Sequence, residues 1–409
     1  MKPIISIFAF SNSSRVLNIQ RVAQLTFMCL LVLVVAATST YAQNPGGERE
    51  AIDIQKARES RVKARGEKVH YTIKFNLDDL PQYKPEQKVT GTIRIWGLNY
   101  LTDGSLAKYF EEGFRKFHPD VKFDWFTPTA LVAIPGLYTG QADIGASRHS
   151  TFDETLTFQR IFSYYPVEIP FVTGSYDVPG WAPADTIVVN KENPITKLTF
   201  DQLDGIFGAE RGGGWDGTAW NADAARGPEK NIRTWGQLGL TGEWRDKPIN
   251  VYGRPLKYHQ QLHIERLIFK GGDKWNEKLR EYAHDESPSG EQKVSSQSLL
   301  EDLSKDRYGI AYSNLGYPAQ TKVKMLAIAE KEGGPYVEMT IETIQNRTYP
   351  LYAEEYFYIN RKPGTPVDPK VKEFLRYVLS REGQQEVMHD GKFLPLTGEV
   401  VRTLLKKLE

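Results

Sequence analysis

The stretch "GRPLKYHQQLHIERLIF", Gly253 to Phe269, carries His259 and His263 four residues apart, which places both imidazoles on one helix face. Two histidines so placed could hold zinc, and H-E-x-x-H would add a glutamate as general base for hydrolysis. Gln260 stands where that glutamate is needed. A third ligand would have to come from Glu277 or Glu281, and nothing in the pattern marks either. Metal chemistry is therefore the weaker reading, and no cofactor is expected. The stronger one has one imidazole lining a cleft and the other on the surface. No Ser-His-Asp spacing or carboxylate pair stands out, so the sequence does not point to an enzyme. His118 in "FHPD" reads as a helix-end residue and His389 as a surface residue near a turn.

Such a cleft needs a scaffold, and 409 residues suffice for two ordinary domains or one two-lobed one. Hydrophobic residues make up 40% and charged residues 25%, as in soluble globular proteins. A formal net charge of +1 argues against nucleic-acid binding, so recognition of charge must be local. The N-terminus has Arg15 and Arg21, an apolar run from Leu25 to Ala37, and Thr40-Tyr41-Ala42. That run is shorter than the ~20 residues of a membrane span and ends in small residues, so 1–42 reads as a cleaved signal peptide. Cys29, the only cysteine, lies inside it, leaving the mature chain without a thiol. A periplasmic location follows as an expectation.

Residues 43–90 are highly charged at first and read as an extension: a solvated tether, a possible strand in "VHYTIKFNL", and an extended linker in "PQYKPEQ". From Gly91 the pattern is regular. "TIRIWG" is a strand, and "SLAKYFEEGFRKFHP" a helix with Leu106, Phe110, Phe114 and Phe117 on one side, capped by Ser105 or Asp103. "VKFDWF" and "ADIGAS" are further strands around the helix "ALVAIPGLYTG". This alternation predicts an α/β architecture with largely parallel sheets. "AERGGGWDGTAWNADAARGPEKN" reads as an inserted surface loop, about 209–232. Its Trp215 and Trp220 either cover a cleft or, as the favoured reading, anchor the loop to its own lobe. Tyr312 and Tyr352 could reach a ligand, with core packing as the alternative.

The order of segments resembles the periplasmic phosphate-binding proteins of ABC transporters, in the type II periplasmic-binding-protein superfamily. The matching pieces are "GTIRIWG…GSLAKYFEEGFRKFHPDVKF", "TGQADIGASR", "TIVVNKENPITKLTFDQLDGIFG", "TWGQLGLTGEWRDKPINVYGR", "GIAYSNLGY", "YPLYAEEYFYIN" and "FLRYVLSREGQQEVMHDGKFLPL". The resemblance implies two α/β lobes, about 91–186 plus 352–409 and about 187–351, with crossings near 186–189 and 349–356 as a hinge. It implies capture of an oxyanion in the cleft and delivery to an ABC permease in the inner membrane. A monomer is expected.

The resemblance also suggests ligand contacts. Thr102-Asp103-Gly104-Ser105 matches the position of the family's anion loop, and an ordinary helix cap is the alternative. Ser147-Arg148 matches a Ser-Asp pair whose aspartate takes a phosphate proton, so Arg148 replaces an acceptor with a fixed positive fork. Arg148 is then either an anion ligand, or it points outward or pairs with Asp103 or Asp153. Arg254, ending "INVYGR", carries over as a ligand arginine. Lys257-Tyr258-His259-Gln260 stands where the family has a Gly-Ser-Gly-Thr-type turn, so the usual exposed amides are missing. Arg254, Arg148 and Lys257, opposed only by Asp103, imply an anionic ligand, either phosphate or an organic anion. A sensor or partner-binding protein with a non-phosphate ligand is the alternative, favoured by the extension and the insertion.

Overall fold

The computed structural model describes residues 70–181, 184–256, 258–286 and 292–409. The signal-peptide reading of 1–42 and the tether reading of 43–69 lie outside these. In chain order the principal elements are β1 Gly91–Gly97, α1 Leu106–Arg115, β2 Val121–Phe126, α2 Ala133–Tyr138, β3 Ile144–Ser147, α3 Phe152–Phe162 and β4 Val167–Thr173. There follow β5 Thr186–Asn190, α4 Phe200–Phe207, β6 Asn250–Gly253, α5 His259–Leu267, β7 Arg280–Glu281, α6 Ser295–Leu303, β8 Gly309–Ser313 and β9 Val323–Met325. The chain ends with β10 Glu354–Ile359, α7 Pro369–Val378, α8 Arg381–Asp390 and α9 Gly398–Leu405.

Two five-stranded sheets result, ordered β2-β1-β3-β10-β4 and β7-β6-β8-β5-β9. In the first, β1 pairs in parallel with β2 and β3, while β10 runs antiparallel to β3 and β4. In the second, β6 pairs in parallel with β7 and β8, while β5 runs antiparallel to β8 and β9. In each sheet four of the five strands run in one direction, as the strand–helix alternation predicts, and a single crossing strand, β10 or β5, opposes them. The reason is topological. β5 follows from β4 of the other sheet, β10 arrives from the opposite side, and each crossing strand enters against the local direction.

Each sheet has its own apolar core. Phe110, Phe114, Phe171, Phe357 and Phe374 are fully buried around the first. Ile187, Val189, Phe207, Trp235, Ile310 and Phe269 pack around the second. In α1 the residues Leu106, Phe110 and Phe114 recur every four positions and form the buried stripe that the sequence predicts. Gly113 sits where α7 comes closest, since a Cβ there would lie 1.8 Å from the Tyr377 hydroxyl.

Residues 70–90 contain no strand, and the segment is not a free linker. Leu77, Leu80, Tyr83 and Val89 are buried in the first core. The Tyr83 hydroxyl donates to Glu373 Oε2 at 2.7 Å and lies 2.7 Å from His118 Nε2. His118 Nδ1 accepts from the Val89 amide at 3.4 Å, so its proton sits on Nε2 and points at Tyr83. Burial lowers the His118 pKa, consistent with a neutral ring in this network. The expected helix-end histidine is therefore a fully buried connector. Fully buried Glu373 also accepts from the Glu86 and Gln87 amides, at 3.0 and 3.2 Å. Replacing Tyr83→Phe leaves part of this network unsatisfied and is expected to cost about 1–3 kcal/mol, read from urea denaturation. An unchanged midpoint would mean that the Tyr83 hydroxyl adds nothing to stability.

Candidate functional site

A cavity of about 420 Å³ opens between the turn after β3, helix α5 and the segment entering β10. The first wall is Arg148 to Phe152. Its backbone is fixed by Tyr358, whose hydroxyl donates to the Arg148 carbonyl and accepts from the Ser150 amide, both at 2.9 Å. Thr151 then starts α3 with a reciprocal cap to Glu154. Arg148 Nη2 donates to the Tyr100 hydroxyl at 2.7 Å, and its Nε lies 3.4 Å from Glu355 Oε1.

That last contact is an ion pair without hydrogen-bond geometry. Glu355 is fully buried, and neither carboxylate oxygen has a hydrogen-bond partner. Burial pushes its carboxyl up to about 7, an effect that Arg148 offsets only in part. The pairing of β10 with β4 shifts register between Glu355 and Tyr356. A regular strand would alternate its side chains, whereas here Glu354, Glu355 and Tyr356 all line the cavity. Glu354 is paired with Arg347 and accepts from the Tyr356 hydroxyl at 3.0 Å.

Helix α5 forms the second wall. His263 Nδ1 lies 2.8 Å from Oδ2 of buried Asp185, whose Oδ1 accepts from Asn314 Nδ2 at 2.9 Å. His259 lines the same cavity, and burial, helped by the charge of Arg148, pushes its pKa down to about 3. Both histidines therefore face the cavity, contrary to the expectation of one at the surface. Among the described residues no group of three or more His, Cys, Asp or Glu is arranged to hold a metal ion.

Arg254 follows β6 and is 5% exposed. Its amide donates to the Tyr312 hydroxyl at 2.8 Å, and that hydroxyl donates back to the Arg254 carbonyl at 2.9 Å. Gly253 permits this approach, since a Cβ there would lie 2.4 Å from the Tyr312 ring. Tyr312 is thus a core residue that grips a turn. The Nε and Nη2 atoms of Arg254 are buried with no hydrogen-bond partner. Arg254 does not line the 420 Å³ cavity.

The other expected contacts do not converge on this cavity. Thr102 and Asp103 lie in a one-turn helix, Tyr100–Asp103, with Thr102 Oγ1 2.6 Å from Thr127 Oγ1 and Asp103 accepting from Asn99 Nδ2 at 2.5 Å. Ser105 precedes α1 without a side-chain cap. Its amide donates instead to Asp390 Oδ1 at 3.0 Å, and Lys392 Nζ pairs with that oxygen at 2.7 Å. An internal carboxylate therefore takes the amide that an anion loop would offer. Ser147 is buried, donating to the Ala130 carbonyl at 3.4 Å, and Gly104 packs beside Trp181. The Tyr258 hydroxyl accepts from the His284 amide at 2.9 Å. Lys257 lies outside the described residues. Of the expected contacts, Arg148 and His259 share the cavity with Tyr352. The acid facing Arg148 is Glu355, in place of Asp103 or Asp153.

Sequence reading missed Asp185, Glu354 and Glu355. The adjacent glutamates in the otherwise apolar "YAEEYFYIN" were the available signal.

The insertion is more than a surface loop. Its hairpin, Gly214–Asp216 paired with Ala219–Asn221, is tied to the second-sheet side through the Trp215 amide and the Gly271 carbonyl, 3.0 Å apart. Trp215 also meets Phe152 of α3 at 4.8 Å between ring centres. Thr218 Oγ1 donates to Gln159 Oε1 of α3 at 2.5 Å, and the Tyr165 hydroxyl lies 2.7 Å from it. The tryptophan therefore reaches across to the first-sheet side, against the favoured reading that it anchors the loop to its own lobe.

Two outcomes follow. Trp215→Ala removes an aromatic contact worth about 0.5–1.5 kcal/mol, so amide exchange in the hairpin should quicken roughly 2- to 10-fold. Equal exchange would show that the contact does not hold the hairpin. For Glu355, the folded chain keeps a proton that the unfolded chain, with an ordinary glutamate near 4.5, releases. Native stability therefore falls as pH rises from about 4.5 to 7 through this group. The melting temperature of Glu355→Gln relative to the native chain should rise over that window, and a constant difference would refute the shift.

Residues 85–382 match a family model described as a PBP superfamily domain. The chain is 31% identical over 331 residues to the phosphate-binding protein PstS of Pseudomonas aeruginosa, covering 80% of this chain and 90% of that one. It is 24% identical over 202 residues to PstS of Staphylococcus aureus, covering 49% and 50%. The crystal structure of PstS from Borrelia burgdorferi is 19% identical, covers 76% of this chain and 100% of its own, and superposes with a TM-score of 0.49. These are solute-binding proteins rather than an enzyme family, and among the described residues no helix is long and apolar enough to cross a membrane. The chain belongs to the periplasmic-binding-protein superfamily, in the family of phosphate-binding proteins of ABC transporters.

Proposed function

We propose that this protein is an exported solute-binding protein that captures a small anion, phosphate or a related oxyanion or organic anion, between two lobes. It leaves the cytoplasm by a cleaved signal peptide over 1–42, works as a periplasmic monomer, and hands its ligand to an ABC permease in the inner membrane. The paired crossings after β4 and before β10 serve as the hinge. Lobe 1 comprises 91–186 with 352–409, and lobe 2 comprises 187–351.

The observation that carries the reading is Arg254. A buried guanidinium with two unpartnered nitrogens pays a desolvation cost that an anionic partner would offset. Its fork geometry suits a bidentate oxyanion. The resemblance to PstS proteins supports phosphate or a chemical relative of it. The sensor or partner-binding alternative draws on the extension and insertion as added surface. Both pack against the chain's own body over the described residues, which favours the carrier reading.

Isothermal titration with inorganic phosphate and simple organic phosphates tests it. Each charge-assisted hydrogen bond contributes about 1.5–3 kcal/mol, so Arg254→Ala should weaken binding at least about 100-fold. Absence of binding by every oxyanion tried, or an affinity unchanged in Arg254→Ala, would overturn the proposal.

A further inference from the structure

The cavity charge differs from that of a simple anion trap. Its two arginines, Arg148 and exposed Arg266, face five carboxylates, of which Asp185, Glu354 and Glu355 are buried. Two of these are internally satisfied: Asp185 by His263 and Asn314, Glu354 by Arg347 and Tyr356. Glu355 is the exception. Both its oxygens are buried without a hydrogen bond, and Arg148 Nε, 3.4 Å away, also lacks one. A buried carboxylate in this state calls for a donor, and a cationic donor most of all.

The shape agrees. About 420 Å³ is within the range of sites for organic molecules and generous for one bare oxyanion. Phe152, Trp215, Tyr352 and Tyr356 stand in the wall, and aromatic faces attract organic ammonium groups. Nor is this volume a gaping cleft, because the hairpin already bridges to α3 through Trp215 and Thr218.

We infer that the ligand is a zwitterion, a small organic phosphate or phosphonate bearing a primary amine, with its ammonium seated against Glu355 and the aromatic wall. The anionic end falls to Arg148 and Arg266, the arginines that line this cavity, and the inference rests on the anion-binding reading above. Glu355 then acts as the residue that separates amine-bearing from plain anions. With the ammonium in place, the carboxylate gains its missing donor and Arg148 keeps its bond to Tyr100.

Titration calorimetry with three probes tests this: inorganic phosphate, ethyl phosphate and 2-aminoethyl phosphate. The last two differ chiefly by the amine. The native protein should bind 2-aminoethyl phosphate at least about 10-fold more tightly than either of the others. Glu355→Gln should remove that preference, bringing the ratio of the 2-aminoethyl phosphate and ethyl phosphate affinities to about 1. Equal or tighter binding of inorganic phosphate by the native protein would overturn the amine site and leave the anion reading standing. No binding of any probe would overturn both. If Glu355→Gln fails to fold, the order of the three affinities on the native protein decides the matter alone.

Discussion

The arrangement turns on Asp185. It stands just before β5, at the end of the first crossing between the sheets. Its amide donates to the Leu351 carbonyl at 3.2 Å, and its carbonyl accepts from the Tyr349 hydroxyl at 3.1 Å, so its backbone binds the second crossing. Its carboxylate, 2% exposed, holds His263 of α5 and Asn314 just after β8. One residue therefore fixes the two crossings side by side and aims the helix whose histidines face the cavity. A carboxylate so buried is tolerated because both oxygens are occupied. The same low polarity makes Glu355, lacking such partners, the conspicuous group of the site.

The elements were legible where their cause is local. The four-residue spacing of Leu106, Phe110 and Phe114 gives α1, and Thr199 with Gln202 caps α4 reciprocally. Strand direction was less legible. Nothing within "TIVVNK" or "YFYIN" says that the strand arrives from the other sheet, and that history alone makes β5 and β10 antiparallel. Residues 70–90 were misjudged for a related reason. They show no period, and what orders them is distant: Tyr83 reaches Glu373 across 290 positions.

The site followed the same rule. Arg148 and His259 were legible through the resemblance, as the residues standing at the family's ligand-contact positions. Glu355 escaped because its orientation comes from a register shift that no local pattern announces. The segment Thr102–Ser105 was over-read in the opposite sense. It looks like an anion loop, but the Ser105 amide is already met by Asp390, 285 positions away. Local sequence describes what a loop could offer, whereas the tertiary fold decides whether the offer is already taken.

The two arginines show why this distinction bears on function. Arg148 stands where the resemblance implies an acid, yet it does not simply turn the site positive, because Glu355 returns a negative charge beside it. The pair leaves local charge near balance, with Tyr100 fixing the guanidinium. Arg254 has no such neighbour among its hydrogen bonds, and its backbone is held by Tyr312 while its nitrogens are left open. An incoming anion gains most from the cation that is least compensated, since displacing an existing partner returns little net energy. On the proposed function, Arg254 is therefore the cation with most to gain from an anion. The Arg148–Glu355 pair is suited instead to discriminating what the anion carries with it.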